Sequence, residues 1–202
     1  MVTTARSRRR FVLRSAVVLM ITVVVAAVGY GVLAYWPVLL LHTSDPAMTG
    51  TNAKGGVVGT VAPAIHGENY ERGAVSVDPS AGGAVIVAVA HWCDHCKTDL
   101  REIADASAAG QFSLGEPLVA ISTKHIPFVS WPPAKALGLN RFPGIVVVDT
   151  DASLAAYFRV SVTPTWFFTD RHGVIREVLT GELSPQAVKD HAGRAMSETE
   201  GG

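Results

Sequence analysis

A pair of cysteines at the junction of a buried strand and a helix constrains the fold of this chain more than any other feature. Cys93 and Cys96 are its only two cysteines and form a Cys-x-x-Cys motif. The apolar run Ala84–Ala90 before them predicts a buried strand, and residues 97–104 after them predict a helix. The first turn of a helix carries unpaired N–H groups and a partial positive charge, which stabilise a thiolate. We therefore expect a redox centre.

Two other uses of a cysteine pair stay open but are less favoured. A structural zinc site needs about four ligands, so the pair would have to recruit His91, His95 or a distant histidine. A structural disulfide would close only a four-residue loop, which restrains the unfolded chain little and stabilises it weakly. The sequence predicts neither a metal nor an organic cofactor.

The N-terminal part of the chain predicts a membrane element. Residues 15–41 contain no charged side chain, and about 20 apolar residues suffice for a bilayer-spanning helix. Five arginines precede this run, and Tyr30, Tyr35 and Trp36 lie at its far end, as interfacial aromatic residues do. The positive-inside rule then makes 1–14 a cytoplasmic basic segment and 15–41 a single-pass signal-anchor in the cell membrane, with an extracytoplasmic catalytic domain.

Two alternatives exist for this segment. A cleavable signal peptide has a shorter apolar region of about 7–15 residues, and residues 7–13 resemble a twin-arginine export signal. In all three cases the cysteines lie outside the cytoplasm, where disulfides form and persist.

The charge balance argues against nucleic acid as a partner. The whole chain has 17 basic and 17 acidic residues, but five of the basic ones lie in the N-terminal segment. The remainder therefore has a net charge of about −5 and offers no basic surface for nucleic acid.

Composition divides the rest of the chain into three parts. Residues 42–59 are rich in Thr, Gly, Ser and Ala and predict a flexible linker. Residues 60–194 predict one folded domain, since about 135 residues can bury a single core. Residues 195–202 predict a disordered tail.

Strand and helix patterns alternate within this domain, which predicts an α/β fold with a mixed sheet. A hairpin and a last helix, capped by Ser184 with Pro185 at its first position, follow near the end. The predicted elements after the strand 84–90 are a helix ending at Gly110, strand 118–123, helix 134–137, strand 145–148, helix 154–158, strand 165–169, turn 170–173 and strand 174–179.

The cysteine pair and a later Thr-Pro pair together resemble the thioredoxin superfamily. Trp92 precedes Cys93, and Thr163-Pro164 stands directly before an aromatic strand. The similarity extends to membrane-anchored proteins of the TlpA/ResA type and covers residues 61–192. Its further matches are Phe142-Pro143, Asp149, Leu154 to Phe158, Val160, Asp170 and Gly173. The resemblance implies a thioredoxin-like fold, a central mixed β-sheet flanked by helices, preceded here by one N-terminal transmembrane helix.

The resemblance also implies roles for the site residues. Cys93 would be the exposed nucleophile and Cys96 the buried resolving thiol, exchanging disulfides through a mixed disulfide. Pro164 would be a cis-proline whose local backbone pairs with an extended client segment. Trp92 and Thr163 would shape the docking surface.

The two residues between the cysteines would tune the reduction potential. His95 stands where DsbA-like oxidases have a histidine that stabilises the thiolate, whereas a carboxylate such as Asp94 raises a nearby thiol pKa. These opposed effects predict a potential within the known span of about −270 to −120 mV.

One departure from the thioredoxin pattern concerns proton transfer. Thioredoxins carry a buried aspartate six residues before the nucleophile, where this chain has Val87, and Ala88-Val89 replaces their Phe-Trp pair. We therefore expect water, Asp94 or Glu68 to accept the proton of the resolving thiol.

The sequence thus favours a membrane-tethered, extracytoplasmic thiol–disulfide oxidoreductase. The family implies client proteins with cysteine pairs, in cytochrome c maturation or disulfide editing, and a membrane electron donor of the DsbD/CcdA kind. A copper metallochaperone on the same fold is the alternative, because thiolates and imidazole suit Cu(I). Relatives of that type space their cysteines by three residues. A thiol peroxidase would need a Pro-x-x-x-Thr-x-x-Cys motif, which is missing before Cys93.

Overall fold

The computed structural model describes residues 57–197 of the 202-residue chain. The predicted basic segment, the predicted signal-anchor and most of the predicted linker lie outside the described residues. Within residues 57–197 no helix is both long and apolar enough to span a bilayer.

The elements alternate along the chain as the sequence pattern predicts. In chain order they are β1 Ile65–Glu68, β2 Ala74–Val77, β3 Val85–Val89, α1 Asp94–Ala108, β4 Leu118–Ser122, α2 Pro133–Ala136, β5 Ile145–Val148, α3 Ser153–Tyr157, β6 Thr165–Thr169, β7 Ile175–Thr180 and α4 Pro185–Ser197.

A five-stranded mixed sheet forms the centre of the domain, in the order β5-β4-β3-β6-β7. Strands β3, β4 and β5 are parallel, whereas β6 runs antiparallel to β3 and β7 antiparallel to β6. The remaining strands, β1 and β2, pair as a hairpin. Every residue of β3 is buried, as expected for a continuous apolar strand covered on both faces. The predicted thioredoxin-like fold with a central mixed sheet is confirmed.

The two faces of the sheet bury separate apolar clusters. Alternate residues of β3 face opposite sides: Val85, Val87 and Val89 pack with α1 and α4, and Ile86 and Ala88 pack with α3 and the β1–β2 hairpin. Helix α1 is therefore held against the sheet directly after β3 ends, which fixes the position of the cysteine pair.

The predicted strand 165–169 and turn 170–173 match the structure. Asp170 stabilises this turn, since its Oδ1 accepts the backbone N–H groups of His172 and Val174 at 2.8 and 3.0 Å. Gly173 has a φ of +75°, which a glycine adopts at little cost.

Both ends of the packed domain extend beyond the predicted boundaries. Val57, in the predicted linker, is buried, and the Gly59 N–H donates to the Ile175 carbonyl at 2.8 Å. At the other end α4 continues to Ser197 because Ala195 is buried against the core.

Candidate functional site

The cysteine pair lies where β3 feeds the first turn of α1. Cys93 is the N-cap residue of α1, and its Sγ accepts the backbone N–H of Cys96 at 3.3 Å. Cys93 is 7% exposed and Cys96 is fully buried, and both are free thiols. The sulfur of Cys93 thus takes the place that an oxygen usually has at a helix N-cap, where it satisfies one unpaired N–H group.

The pKa values of the two thiols are shifted in opposite directions. Hydrogen bonding by the Cys96 thiol is the largest cause that lowers the pKa of Cys93, and the Cys96 N–H, Thr163 and His95 add to it. Burial opposes the change, and the resulting pKa is about 6. The hydrogen bond with the Cys93 sulfur, followed by burial, raises the pKa of Cys96 above its ordinary value. Cys93 is therefore the thiolate at neutral pH and Cys96 is the proton donor within the pair.

The Thr163–Pro164 loop faces the cysteines. Strand β6 pairs with β3, so the loop that enters β6 reaches the end of β3. The Cys93 thiol contacts the carbonyl oxygen of Thr163 at 3.3 Å across 70 residues of sequence. The Thr163–Pro164 peptide bond is cis, as the resemblance implies, and Pro164 is buried while Thr163 is half-buried.

Trp92 and His91 attach the loop after β4 to the cysteine pair. The indole Nε1 of Trp92 donates to the Lys124 carbonyl at 2.8 Å, and the Nε2 of His91 lies 3.0 Å from the Ile126 carbonyl. Lys124 in turn donates through Nζ to the carbonyl of Ser161, at 2.8 Å. The half-buried Trp92 is therefore joined to the loop after β4, and that loop is joined through Lys124 to the segment before Thr163.

Asp94 and His95 point into solvent and each has a charged partner. His95 Nδ1 donates to Glu182 Oε1 at 2.6 Å, and this hydrogen bond is the main cause that raises the pKa of His95. Lys97 donates to Asp94 Oδ1 at 2.9 Å, and this contact chiefly lowers the pKa of Asp94. The lysine thus offsets the negative charge that Asp94 brings to the site.

A buried carboxyl group at the site was missed by the sequence analysis. Asp99, three residues after Cys96, is 1% exposed, and its Oδ2 accepts the Leu183 N–H at 3.3 Å. Burial raises the pKa of Asp99 to about 7, and the Leu183 N–H and the Trp166 indole partly oppose this change. Asp99 belongs to the buried stripe of α1, with Cys96, Leu100, Ile103 and Ala104. A search for polar residues at helical spacing from Cys96 would have found it.

The two carboxylates suggested from sequence as proton acceptors lie elsewhere. Asp94 has a side chain that is 91% exposed and is paired with Lys97. Glu68 lies at the end of β1 and lines a cleft of about 430 Å³ with Asp149 and Asp151. Among residues 57–197, neither carboxylate hydrogen-bonds to Cys96.

Among the described residues, no metal-binding cluster accompanies the cysteines. Within residues 57–197, three or more His, Cys, Asp or Glu side chains do not converge anywhere as they would to hold a metal ion.

Comparisons with known proteins agree with this geometry. No family model matches the chain. The thiol–disulfide oxidoreductase ResA of Bacillus subtilis strain 168 is 29% identical over 100 residues, which cover 50% of this chain and 54% of ResA. The chain thus spans about half the length of this curated relative.

The match to two solved structures with the same fold extends over nearly the whole of each of those chains. StoA from Bacillus subtilis superimposes with a TM-score of 0.54 at 17% identity, over 67% of this chain and 98% of StoA. A thiol:disulfide interchange protein of the thioredoxin family from Chlorobium tepidum gives 0.54 at 18% identity, over 70% and 99%.

The mixed sheet, the helix-capping Cys-x-x-Cys pair and the facing Thr163–Pro164 loop together form a thioredoxin-like fold. In sequence, the 100 matched residues are similar to ResA, a thiol–disulfide oxidoreductase.

Proposed function

We propose that this protein is a thiol–disulfide oxidoreductase that exchanges disulfides with client proteins through Cys93 and Cys96. One observation carries the proposal: the Cys93 sulfur caps α1, where it accepts the Cys96 N–H at 3.3 Å, and it lies beside the fully buried Cys96. The pKa of Cys93 is lowered and that of Cys96 is raised, in keeping with this geometry. A low-pKa thiolate attacks, and a neighbouring protonated thiol is held back to resolve the intermediate.

The reaction uses both sulfurs in turn. The Cys93 thiolate attacks a client disulfide, so one client sulfur leaves as a thiolate and the other joins Cys93 in a mixed disulfide. Cys96 then loses its proton and attacks Cys93, which releases the second client thiol and closes the Cys93–Cys96 disulfide. Two enzyme thiols are oxidised and one client disulfide is reduced; the reverse sequence donates a disulfide.

Asp99 is our candidate acceptor for the proton that Cys96 loses. It lies on the same buried stripe of α1, and its pKa of about 7 lets it exchange a proton near neutral pH. The helix thus supplies the buried carboxyl group that position 87, a valine, does not provide.

The residues that surround Cys93 indicate how a client docks. In this proposal an extended client segment lies along the backbone of Thr163 and Pro164, between that loop and Trp92. The cysteine pair is nearly buried, so a client has to bring its disulfide into contact with the small exposed part of Cys93.

We also propose that the protein is tethered to the cell membrane by residues 15–41, with its catalytic domain outside the cytoplasm. The uncharged apolar run and its arginine-rich flank support this. Clients with cysteine pairs in cytochrome c maturation or disulfide editing, and a membrane donor of the DsbD/CcdA kind, fit the family. Carbonate extraction of membranes and labelling of introduced cysteines on either side test the topology.

The reduction potential of the Cys93–Cys96 couple tests the oxidoreductase function. The full-length protein in detergent is equilibrated with glutathione or dithiothreitol buffers, and free thiols are counted. A reversible two-electron transition is expected between about −270 and −120 mV. A value well below about −230 mV indicates a reductase, and a value near −120 mV indicates a disulfide donor. The absence of a reversible couple would contradict the proposed function.

A further inference from the structure

A cationic cavity lies beside the cysteine-bearing helix. Its volume is about 160 Å³, and the basic residues that line it come from α1, from α2 and from the segment that follows α2. These residues are Lys97, Arg101, Lys135 and Arg141. Among the described residues no acidic side chain lines the cavity.

Two of the four cations are neutralised and two are not. Lys97 pairs with Asp94, and Arg141 pairs with Asp105. Within residues 57–197, the exposed side chains of Arg101 and Lys135 have neither an ion pair nor a hydrogen-bond partner. The cavity therefore keeps about two uncompensated positive charges, although the chain beyond its N-terminal basic segment is net acidic.

The cavity lies along the helix face that begins at the reactive cysteine. Cys93, Lys97 and Arg101 are spaced by four residues, and residues at that spacing share one face of an α-helix. A rise of about 1.5 Å per residue puts Lys97 about 6 Å and Arg101 about 12 Å from the level of Cys93. A client segment held at Cys93 can thus follow this face to the cavity.

We propose that the cavity binds the carboxylate of an acidic side chain in the client whose disulfide Cys93 attacks. The inference rests on the proposed function and adds a sequence preference to it. An extended segment advances about 3.3 Å per residue, so the 12 Å track corresponds to an acidic residue about four positions from the reacting cysteine. The planar guanidinium of Arg101 suits a carboxylate because it can donate two parallel hydrogen bonds.

The cavity affects the lifetime of the mixed disulfide as well as the rate at which the client first binds. Once the client is covalently joined to Cys93, its acidic side chain binds the cavity intramolecularly, at high effective concentration. Acidic clients are thereby held in register, while neutral clients of the same shape dissociate or react more slowly.

Disulfide-linked homodimeric peptides test this preference. One peptide has Glu four residues from its cysteine, a second has Gln there, and a third has Glu ten residues away. Reduced full-length protein in detergent reacts with each in a single turnover, so no added reductant is needed. We expect the first peptide to react about 3- to 10-fold faster than the other two at low salt, which is the range of a partly exposed ion pair.

Matched variants separate the cavity from general charge. The double variant Arg101→Gln/Lys135→Gln should lose the preference for Glu, whereas Arg72→Gln/Arg159→Gln removes two exposed cations outside the cavity and should keep it. High salt should abolish the preference in the wild-type protein. Equal rates for the Glu and Gln peptides, or a Glu preference that survives in the cavity variant, would overturn the inference.

Two further experiments test whether the protein exchanges disulfides at all and whether the anion comes from a membrane. The neutral reagent 2-hydroxyethyl disulfide should be reduced equally by all variants; if the wild type reduces neither this reagent nor any peptide, the proposed function itself fails, and the inference with it. Vesicles of anionic lipid test a membrane source of the anion. Binding to them that depends on Arg101 and Lys135, without a Glu preference among peptides, contradicts a client carboxylate as the ligand.

Discussion

His95 Nδ1 and Glu182 Oε1 lie 2.6 Å apart although 87 residues separate them in the sequence. The pair joins the first turn of α1 to the segment after β7. Because Glu182 stabilises the imidazolium form, it raises the pKa of His95, and the positive charge of His95 helps to lower the pKa of Cys93. The acidity of the nucleophile thus depends on a residue far outside the cysteine motif.

Replacing Glu182 by Gln should make Cys93 less acidic. The imidazolium of His95 then loses its partner and is deprotonated at lower pH, so the thiolate loses part of its stabilisation. We expect the pKa of Cys93 to rise by less than about one unit, since the pair is solvent-exposed and partly screened. Thiolate absorbance near 240 nm as a function of pH measures this. The variant Glu71→Gln, an exposed carboxylate on the β1–β2 turn, should leave the titration unchanged.

Replacing Asp99 by Asn should separate stability from activity. The pKa of Asp99 is raised from an ordinary value near 4 to about 7, because the folded state disfavours the charged carboxylate. As pH rises from about 4 to about 7 the carboxyl group has to ionise, so the folded protein loses stability over this interval. The variant should be more stable than wild type at pH 8, by about 1–3 kcal/mol, and equally stable below pH 4. Chemical denaturation at both pH values measures this difference.

The same variant should resolve mixed disulfides more slowly, because Asn cannot accept the proton of Cys96. We expect about a 10- to 100-fold lower rate for this step, with the alkylation profile of Cys93 changed far less. Unchanged resolution together with the expected gain in stability would show that Asp99 is a buried carboxyl group without a role in proton transfer.

His125 should make the fold sensitive to acid. Its Nε2 lies 2.9 Å from the Tyr70 hydroxyl and 3.2 Å from Ser122 Oγ, and its ring stacks on His91. Burial is the main cause that lowers the pKa of His125, the nearby His91 lowers it further, and Asp149 opposes them. A lowered histidine pKa means that the folded state resists protonation, so stability is lost as pH falls below about 6.5.

The variant His125→Gln keeps a hydrogen-bonding group but cannot be protonated. Between pH 7 and pH 5 its Tm should fall by about 2 to 4 °C less than that of wild type. The variant His172→Gln, at an exposed turn position, should behave like wild type. A Tm loss in His125→Gln as large as that of the wild-type protein would contradict the assigned role.

The local parts of the site could be predicted from sequence. A continuous apolar strand followed by Cys-x-x-Cys places both sulfurs at a helix start, because strand burial and helix capping depend on neighbouring residues. The Thr165–Thr169 strand was predicted with its exact bounds since five apolar or β-branched residues stand between a proline and a turn signal. The roles assigned to Trp92, Asp94, His95, Thr163 and Pro164 remain predictions.

The long-range parts of the site could not be predicted in the same way. Glu182 reaches His95 only because β7 returns along the sheet edge to the start of α1. Asp99 becomes buried only when the segment around Leu183 packs over it. These contacts depend on the tertiary arrangement of β6 and β7 against α1, and the local sequence around either partner does not encode them.

The pH dependence of Cys93 alkylation shows directly whether Cys93 is the low-pKa nucleophile of the pair. Reduced full-length protein in detergent is treated briefly with iodoacetamide between pH 4 and pH 10, and peptide mapping by mass spectrometry quantifies each cysteine. The structure predicts that Cys93 is modified with a midpoint near pH 6 while Cys96 stays unmodified. A midpoint near that of an ordinary thiol, about 8.5, or modification of Cys96 before Cys93, would contradict the assignment of Cys93 as the nucleophile.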